Sequence, residues 1–457
     1  MTEPVPGGSI AERLAERIVA IRTEPVPKPL REKCEELVID VIGLCVMARN
    51  RDYVRSAMVA FDSVGGRTAI GHKRTFSAGA AAFVNGTATH GEDFDDTFEG
   101  GPVHAGAAIV PAVFAACERD RLDGEAALRG IAIGSEVLCR LSLVAPKAVH
   151  NAGFHPTSVF GTMGAAAGVA ATLRLDRRQT VDALGVAGSM AGGIIEYLAE
   201  GASTKRMHAG WAAQSGLRAA LLGRAGFNGP RTVFEGVNGL FNGFAHTRDG
   251  DYEPLIGDFG TRWVTETLAF KPYPCGTMIH PYIDCARRIA AKGIKPESIK
   301  EVVCDTAEGV LHRLWEQFAA KRKPSNGYGA KFSMPYCIAY ALLHDDVGLE
   351  AFTDEAVHDP AVLGLAARIR FKVDPDNPYP RKFTGQMRVT LKDGSTVEER
   401  QPHLRGGAQE PLSRAEIEAK FRHNCLHGGW TPAKTEAALT CARTMFSGPI
   451  DLSPLQG

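Results

Sequence analysis

Residues Asn85–Gly106, NGTATHGEDFDDTFEGGPVHAG, set five carboxylates (Glu92, Asp93, Asp95, Asp96 and Glu99) between His90 and His104. Acids and imidazoles concentrated in a Gly-rich, partly irregular stretch are awkward to bury in a core and suit work on a ligand. Five acids first suggest a cation. A calcium loop starting at Asp93 would place Phe98 where the turn glycine belongs and His104 where the last bidentate Glu belongs, so the EF-hand pattern fails. A mixed His/Asp site for a transition metal stays open, although no helical H-x-x-x-H pair supports it. The plainer alternative is that these acids cap helices and face water.

Three further segments offer chemistry. In Gly153–Gly168, His155 precedes a proline and an expected helix start at Thr157 or Ser158, where a helix N-terminus favours anions. The glycines that follow do not form G-x-G-x-x-G and read as small contacts between helices. In Gly201–Gly216, Lys205, Arg206 and His208 crowd ahead of an Ala-rich helix, and a flexible Lys beside a forked Arg suits carboxylate binding. A solvated basic turn is the bland alternative. In Phe270–Ala286, Lys271 precedes two prolines and His280 opens an expected helix at a domain junction, where pockets commonly form. Together the four segments supply the inventory for proton transfer next to carboxylates.

The elements that must position these groups are mostly helical. Ser9 caps an expected helix over residues 9–22, and Leu30, Cys34, Leu37, Val38, Val41, Leu44 and Cys45 share one face over residues 29–48. Ala105–Asp120, Gly124–Lys147, Gly161–Leu175, Arg178–Met190 and Ala209–Ala225 are Ala- and Gly-rich and too apolar for one-faced surface helices, which predicts buried, closely packed ones. After about Phe270 the texture changes. Ile299–Asp305, Ile369–Val373, and Met387–Thr390 with Thr396–Glu399 around an Asp393-Gly394 turn read as strands, with helices over Ser333–Leu343 and Asp354–Ala367. Ser413 with Glu416 forms a capping box, and Thr431-Pro432 starts a last helix. The expected fold is mainly α. A large all-helical domain is formed by both chain ends (residues 1–268 and 406–457), plus a smaller inserted α+β lid domain (269–405).

At 457 residues the chain exceeds one ordinary core, and 44% apolar residues suit a soluble globular protein. Lys+Arg and Asp+Glu are both 52, so no global charge points to nucleic acid or an anionic membrane. Ten scattered cysteines form no C-x-x-C pair, and the polar, acid-bearing N-terminus lacks the apolar core of a secretory signal. No apolar run approaches a membrane span. A reduced, cytoplasmic protein acting on a small ligand is expected.

The chain resembles the MmgE/PrpD family, which includes 2-methylcitrate dehydratase, cis-aconitate decarboxylase and iminodisuccinate epimerase. The landmarks are N-G...H...D-F-D-D-T (Asn85–Thr97, with His90 as its histidine), His104 ahead of a Pro-containing helix, G-F-H-P-T (Gly153–Thr157), K-R-x-H-x-G (Lys205–Gly210), G-F-x-G-P (Gly226–Pro230), the run Lys271–Asp284 and A-K-F-S (Ala330–Ser333). The resemblance implies a large helical domain with a smaller α+β lid, a homodimer, and an active site between the domains. Carried onto matching positions, that site comprises Asp93, Thr97, His104, His155, Lys205 and His280, with Arg206, His208 and Lys271 as substrate-binding candidates. It also implies no metal and no organic cofactor. The implied function is a lyase that dehydrates or decarboxylates a small di- or tricarboxylate. An epimerase of an amino-dicarboxylate is the enzymatic alternative, and a non-catalytic carboxylate-binding or scaffold protein the alternative of another class. Asp93 is expected to orient a histidine, and Thr97 to donate to a carboxylate or leaving oxygen. One departure is that Pro102 precedes His104 and Ala105 follows it, where many relatives place Pro after the histidine, so a different loop path is expected.

Overall fold

The computed structural model describes residues 8–61, 65–101, 103–200, 202–344 and 346–457. The fold is mainly α, 57% helical with small sheets only, as the composition and periodicity predict. Among the described residues no helix is long and apolar enough to cross a membrane. The chain divides into two compact units. One takes the chain up to Gly91, Asp95–Leu268 and Ser413–Gly457; the other takes Glu92–Phe94 and Ala269–Leu412.

In the first unit, a Ser9/Glu12 capping box starts the helix Ile10–Ile21, and Lys28–Ala48 buries the apolar face read from its sequence. Five helices then form its centre: Ala78–His90, Ala105–Asp120, Gly124–Val144, Pro156–Thr172 and Thr204–Arg224. Ala78–His90 is buried over almost its whole length. A helix buried all round has no polar face and so no amphipathic period to read, and the stretch Asn85–Gly106, expected to be partly irregular, is helical up to His90 and loops from there to His104. Thr204–Arg224 starts at Thr204, ahead of the expected Ala209, so Lys205, Arg206 and His208 occupy its first turns.

These two helices meet through glycine. A Cβ on Gly86 would lie 2.7 Å from Gly210 Cα, and one on Gly210 would lie 2.2 Å from the Phe83 carbonyl oxygen. Only hydrogen at both positions lets the backbones approach this closely. The C-terminal segment closes the unit: the Ser413/Glu416 capping box starts Arg414–His427, and Lys420 Nζ lies 2.8 Å from buried Asp40 on Lys28–Ala48.

In the second unit, four strands run in the order Ile369–Val373, Ile299–Thr306, Gly385–Leu391, Thr396–Gln401. Ile299–Thr306 pairs parallel with Ile369–Val373 and antiparallel with Gly385–Leu391, whose hairpin to Thr396–Gln401 turns at Asp393-Gly394. The helices His280–Ala291 and Met334–Leu343 contribute to a core that includes Trp315, Tyr336, Val302 and Val389. The helix expected over Asp354–Ala367 is broken into Ala356–His358 and Pro360–Ala366, since Pro360 has no N–H to continue the first turn.

Candidate active site

His90 is the last residue of Ala78–His90, and His104 is the cap residue of Ala105–Asp120. The loop between them is organised by its own acids. Asp96 accepts from the first helical amides, Ala105 N at 2.9 Å and Gly106 N at 2.8 Å, and so caps the helix that His104 opens. Burial, reinforced by the neighbouring Asp95 charge, nevertheless pushes the Asp96 carboxyl up to about 8 against the pull of those amides. Asp95, fully buried, meets His90 Nδ1 at 2.7 Å with Oδ2, while Oδ1 lies 3.8 Å from His104 Nδ1. His104 Nδ1 donates to the Asp96 carbonyl at 2.6 Å, so in the neutral ring the lone pair is on Nε2. The buried Thr97 follows Asp96 in a two-residue strand, and the loop closes with Phe98 N–H donating to the Val103 carbonyl. Pro102, where the family pattern is broken, lies outside the described residues.

The second half of the cluster comes from two other helices. His155 caps Pro156–Thr172, with its N–H on the Gly193 carbonyl at 2.8 Å. Gly193 has φ of 109°, and a Cβ there would strike Ser158, so only glycine serves at this crossing. The His155 ring stacks on His90 with centroids 5.6 Å apart, and its Nδ1 is 3.1 Å from His208 Nδ1. Burial holds His155 well below the usual histidine range, helped by His208, His90, Lys205 and His104. Burial likewise brings His208 down to about 4, with His90 and Lys205 adding to it. Both rings are therefore neutral near pH 7, and sharing one proton between two Nδ1 atoms requires opposite tautomers. Tyr197 packs edge-on to both rings. Beside His208 and Tyr197 a cavity of about 500 Å³ opens, with Ser158, Met207 and Trp211 in its wall.

Of the residues singled out from the sequence, the first unit thus brings together His104, His155, Lys205 and His208, with Thr97 on the same loop as His104. Arg206 and Lys271, expected on substrate, are directed at the protein itself. Arg206 Nε donates to the Gly91 carbonyl at 3.1 Å and its guanidinium lies over the Tyr53 ring, so it braces the turn after His90. In the second unit, Lys271 Nζ donates to the Asp93 carbonyl at 2.9 Å and lies 3.4 Å from Asp93 Oδ1. Lys331 does the same for Glu92, at 2.9 Å to the carbonyl and 3.2 Å to the carboxylate. Two buried lysines therefore hold a turn in which Asp93 adopts a φ of 55°. The acid placed on a histidine is Asp95, where Asp93 was expected, because Asp93 is turned to Lys271. His280, fully buried in the second unit, donates through Nε2 to the Cys275 carbonyl at 3.1 Å and packs on Tyr273.

His90, Asp95, Tyr197 and Lys331 were not among the sequence candidates. His90 and Asp95 were visible in the opening segment, and Lys331 in A-K-F-S; Tyr197 carried no signal. His90, Asp95 and His104 each bring a donor atom within 4.8 Å of the others, a spacing that a cation could bridge. To do so it would have to displace the His90–Asp95 hydrogen bond, so this trio reads first as a carboxylate serving two imidazoles.

Comparison with known proteins bears on this geometry. The MmgE/PrpD N-terminal domain matches residues 12–253 and the MmgE/PrpD C-terminal domain matches residues 273–440. The chain belongs to the MmgE/PrpD family. Among relatives of this family member, the cis-aconitate decarboxylases of Mus musculus and Homo sapiens are each 30% identical, covering 75% of this chain and 71% and 72% of theirs. The cis-aconitate decarboxylase-like protein oryM of Aspergillus oryzae is 25% identical over 92% of both chains. These relatives support an enzyme of lyase type.

Proposed function

We propose that this MmgE/PrpD protein is a lyase that removes carbon dioxide from cis-aconitate or a closely similar tricarboxylate. The observation that carries the reading is the buried convergence of Lys205 with neutral His155 and His208, beside His104, in the first unit. A cation beside neutral imidazoles attracts carboxylates, and desolvation strengthens each contact with the charge that develops as carbon dioxide leaves. In this reading Lys205 and His155 bind substrate carboxylates, His208 fixes the His155 tautomer, and Thr97 donates to a carboxylate oxygen. His104 offers an Nε2 lone pair. Lys271 acts by holding Asp93, and His280 is a catalytic candidate on the family resemblance alone. The relatives named for cis-aconitate decarboxylation favour this chemistry over dehydration or epimerisation.

The test is NMR of cis-aconitate, 2-methylcitrate and iminodisuccinate incubated with the protein in deuterated water. Decarboxylation of cis-aconitate with one new C–D bond is expected. Loss of water from 2-methylcitrate alone would make it a dehydratase, and inversion of iminodisuccinate an epimerase. His104→Ala and Lys205→Ala should each lower kcat/KM by about 10² or more. Full turnover by both variants would remove the cluster from the active site.

A further inference from the structure

His90 sits among these groups without a role in the reading above. Its side chain is fully buried, as is that of Asp95, and the two meet at 2.7 Å between Nδ1 and Oδ2. An ionised carboxylate only accepts, so Nδ1 carries the proton and Nε2 the lone pair. His90 Nε2 is buried and has no hydrogen-bond partner among the described residues. A buried ring nitrogen left with nothing to bond is disfavoured unless something else fills the position, and functional sites are where such atoms persist. The ring lies between two others, with centroids 5.0 Å from His104 and 5.6 Å from His155.

We infer that His90 is the proton-donating catalytic residue of this cluster, acting through Nε2 while Asp95 orients the ring and stabilises its imidazolium; this rests on the decarboxylase reading. The other imidazoles are worse placed for that task. His104 Nδ1 is bonded to a neutral carbonyl and stands 3.8 Å from Asp95. His155 and His208 are tied to each other through Nδ1, and their surroundings disfavour a second proton. Among the described residues His90 joins a direct carboxylate bond to a buried second nitrogen that has no hydrogen-bond partner.

The step balances as follows. The bond from carbon to the departing carboxyl breaks, and its pair forms a new carbon–carbon double bond as carbon dioxide leaves. The pair of the original double bond moves to the carbon beside a second carboxylate. Solvent first protonates His90 Nε2, giving the imidazolium that Asp95 faces; that carbon takes the proton and the ring returns to its Nδ1–H form, so one proton is consumed per turnover. Asp95 remains ionised throughout. The ionisable groups around His90 are Asp95 and Asp96 on the following loop, His104 and His155 at the heads of their helices, and Lys205 and His208 on Thr204–Arg224.

Steady-state pH profiles on cis-aconitate test the inference, with His90→Gln and Asp95→Asn compared against the unaltered protein. His90→Gln should lower kcat by about 10²-fold or more with KM changed by less than about threefold. Asp95→Asn should move the alkaline limb of kcat/KM down by about one pH unit, since the imidazolium loses its counter-charge. A His90→Gln protein that keeps over about a tenth of kcat, or an Asp95→Asn limb that does not move, overturns the inference. Nitrogen-15 NMR of the unaltered protein reads the arrangement without any substrate, with His90 expected as the Nδ1–H tautomer and that proton signal lost in Asp95→Asn. An Nε2–H tautomer overturns the inference. If the unaltered protein leaves cis-aconitate unchanged, the decarboxylase reading fails and the donor assignment falls with it, while the NMR result still decides the His90–Asp95 geometry.

Discussion

Asp96 holds two amides of the helix behind His104, yet burial and Asp95 push it up to about 8. An unfolded aspartate loses its proton near pH 4. Between those two values the folded state binds the extra proton, so stability falls as pH rises from about 4 to about 8. His208 works in the opposite direction. Its folded value is brought down to about 4 against about 6.5 when unfolded, so stability falls as pH drops below about 6.5, when the unfolded state takes up a proton. Buried His155 adds to this acid-side loss. Thermal denaturation across pH should therefore show a maximum near about pH 6 and decline on both sides. Asp96→Asn, which keeps a carbonyl for the helix amides, should flatten the alkaline decline. An unaltered protein that melts as high at about pH 8.5 as at pH 6 would contradict the Asp96 assignment.

At the scale of elements, the cluster depends on how closely Ala78–His90 and Thr204–Arg224 approach, since one carries His90 and the other Lys205 and His208. Gly86 and Gly210 permit that approach. Gly210→Ala must force the helices apart, because its new methyl would meet the Phe83 carbonyl at 2.2 Å. Overpacking of this kind costs about 1–3 kcal/mol. Urea unfolding should show that loss, together with lowered activity, and a change under about 0.5 kcal/mol would mean the crossing can relax. Gly86 and Gly210 both stand in segments whose chemistry is legible in the sequence, but nothing there pairs them. The strand Ile299–Thr306 and the hairpin of Gly385–Leu391 with Thr396–Gln401 around Asp393-Gly394 were legible, because half-buried strands alternate and turns have their own residues. Ala78–His90 was not, because burial on every side removes the period.

For the whole molecule, the resemblance implies a homodimer, and the first unit has an apolar face suited to one. Trp211 and Leu222 lie about three turns apart on the same side of Thr204–Arg224 and are 39% and 37% exposed. Ile194 and Phe227 are more exposed still. We propose that a second copy covers this face. Light scattering should give twice the chain mass, and Trp211→Glu should shift the population toward monomer, since a charge replaces an exposed aromatic ring that the proposed second copy would cover. A single-chain mass for the unaltered protein at micromolar concentration would refute it.

The sequence by itself determined the mainly α class, the strand-bearing segment after Phe270, and the capped starts at Ser9 and Ser413, because each follows from period, propensity and neighbours within a few residues. It also held the family's landmark residues in order, and with them the candidates His104, His155, Lys205 and His280. Only the tertiary structure decided which acid meets which imidazole. Asp93 and Asp95 are two residues apart with the same chemistry, yet one turns to Lys271 and the other to His90. His155 and His208 become partners across 53 residues of chain. Such pairings depend on backbone direction and helix crossing, set by packing between distant segments, and no local pattern of residue types encodes them.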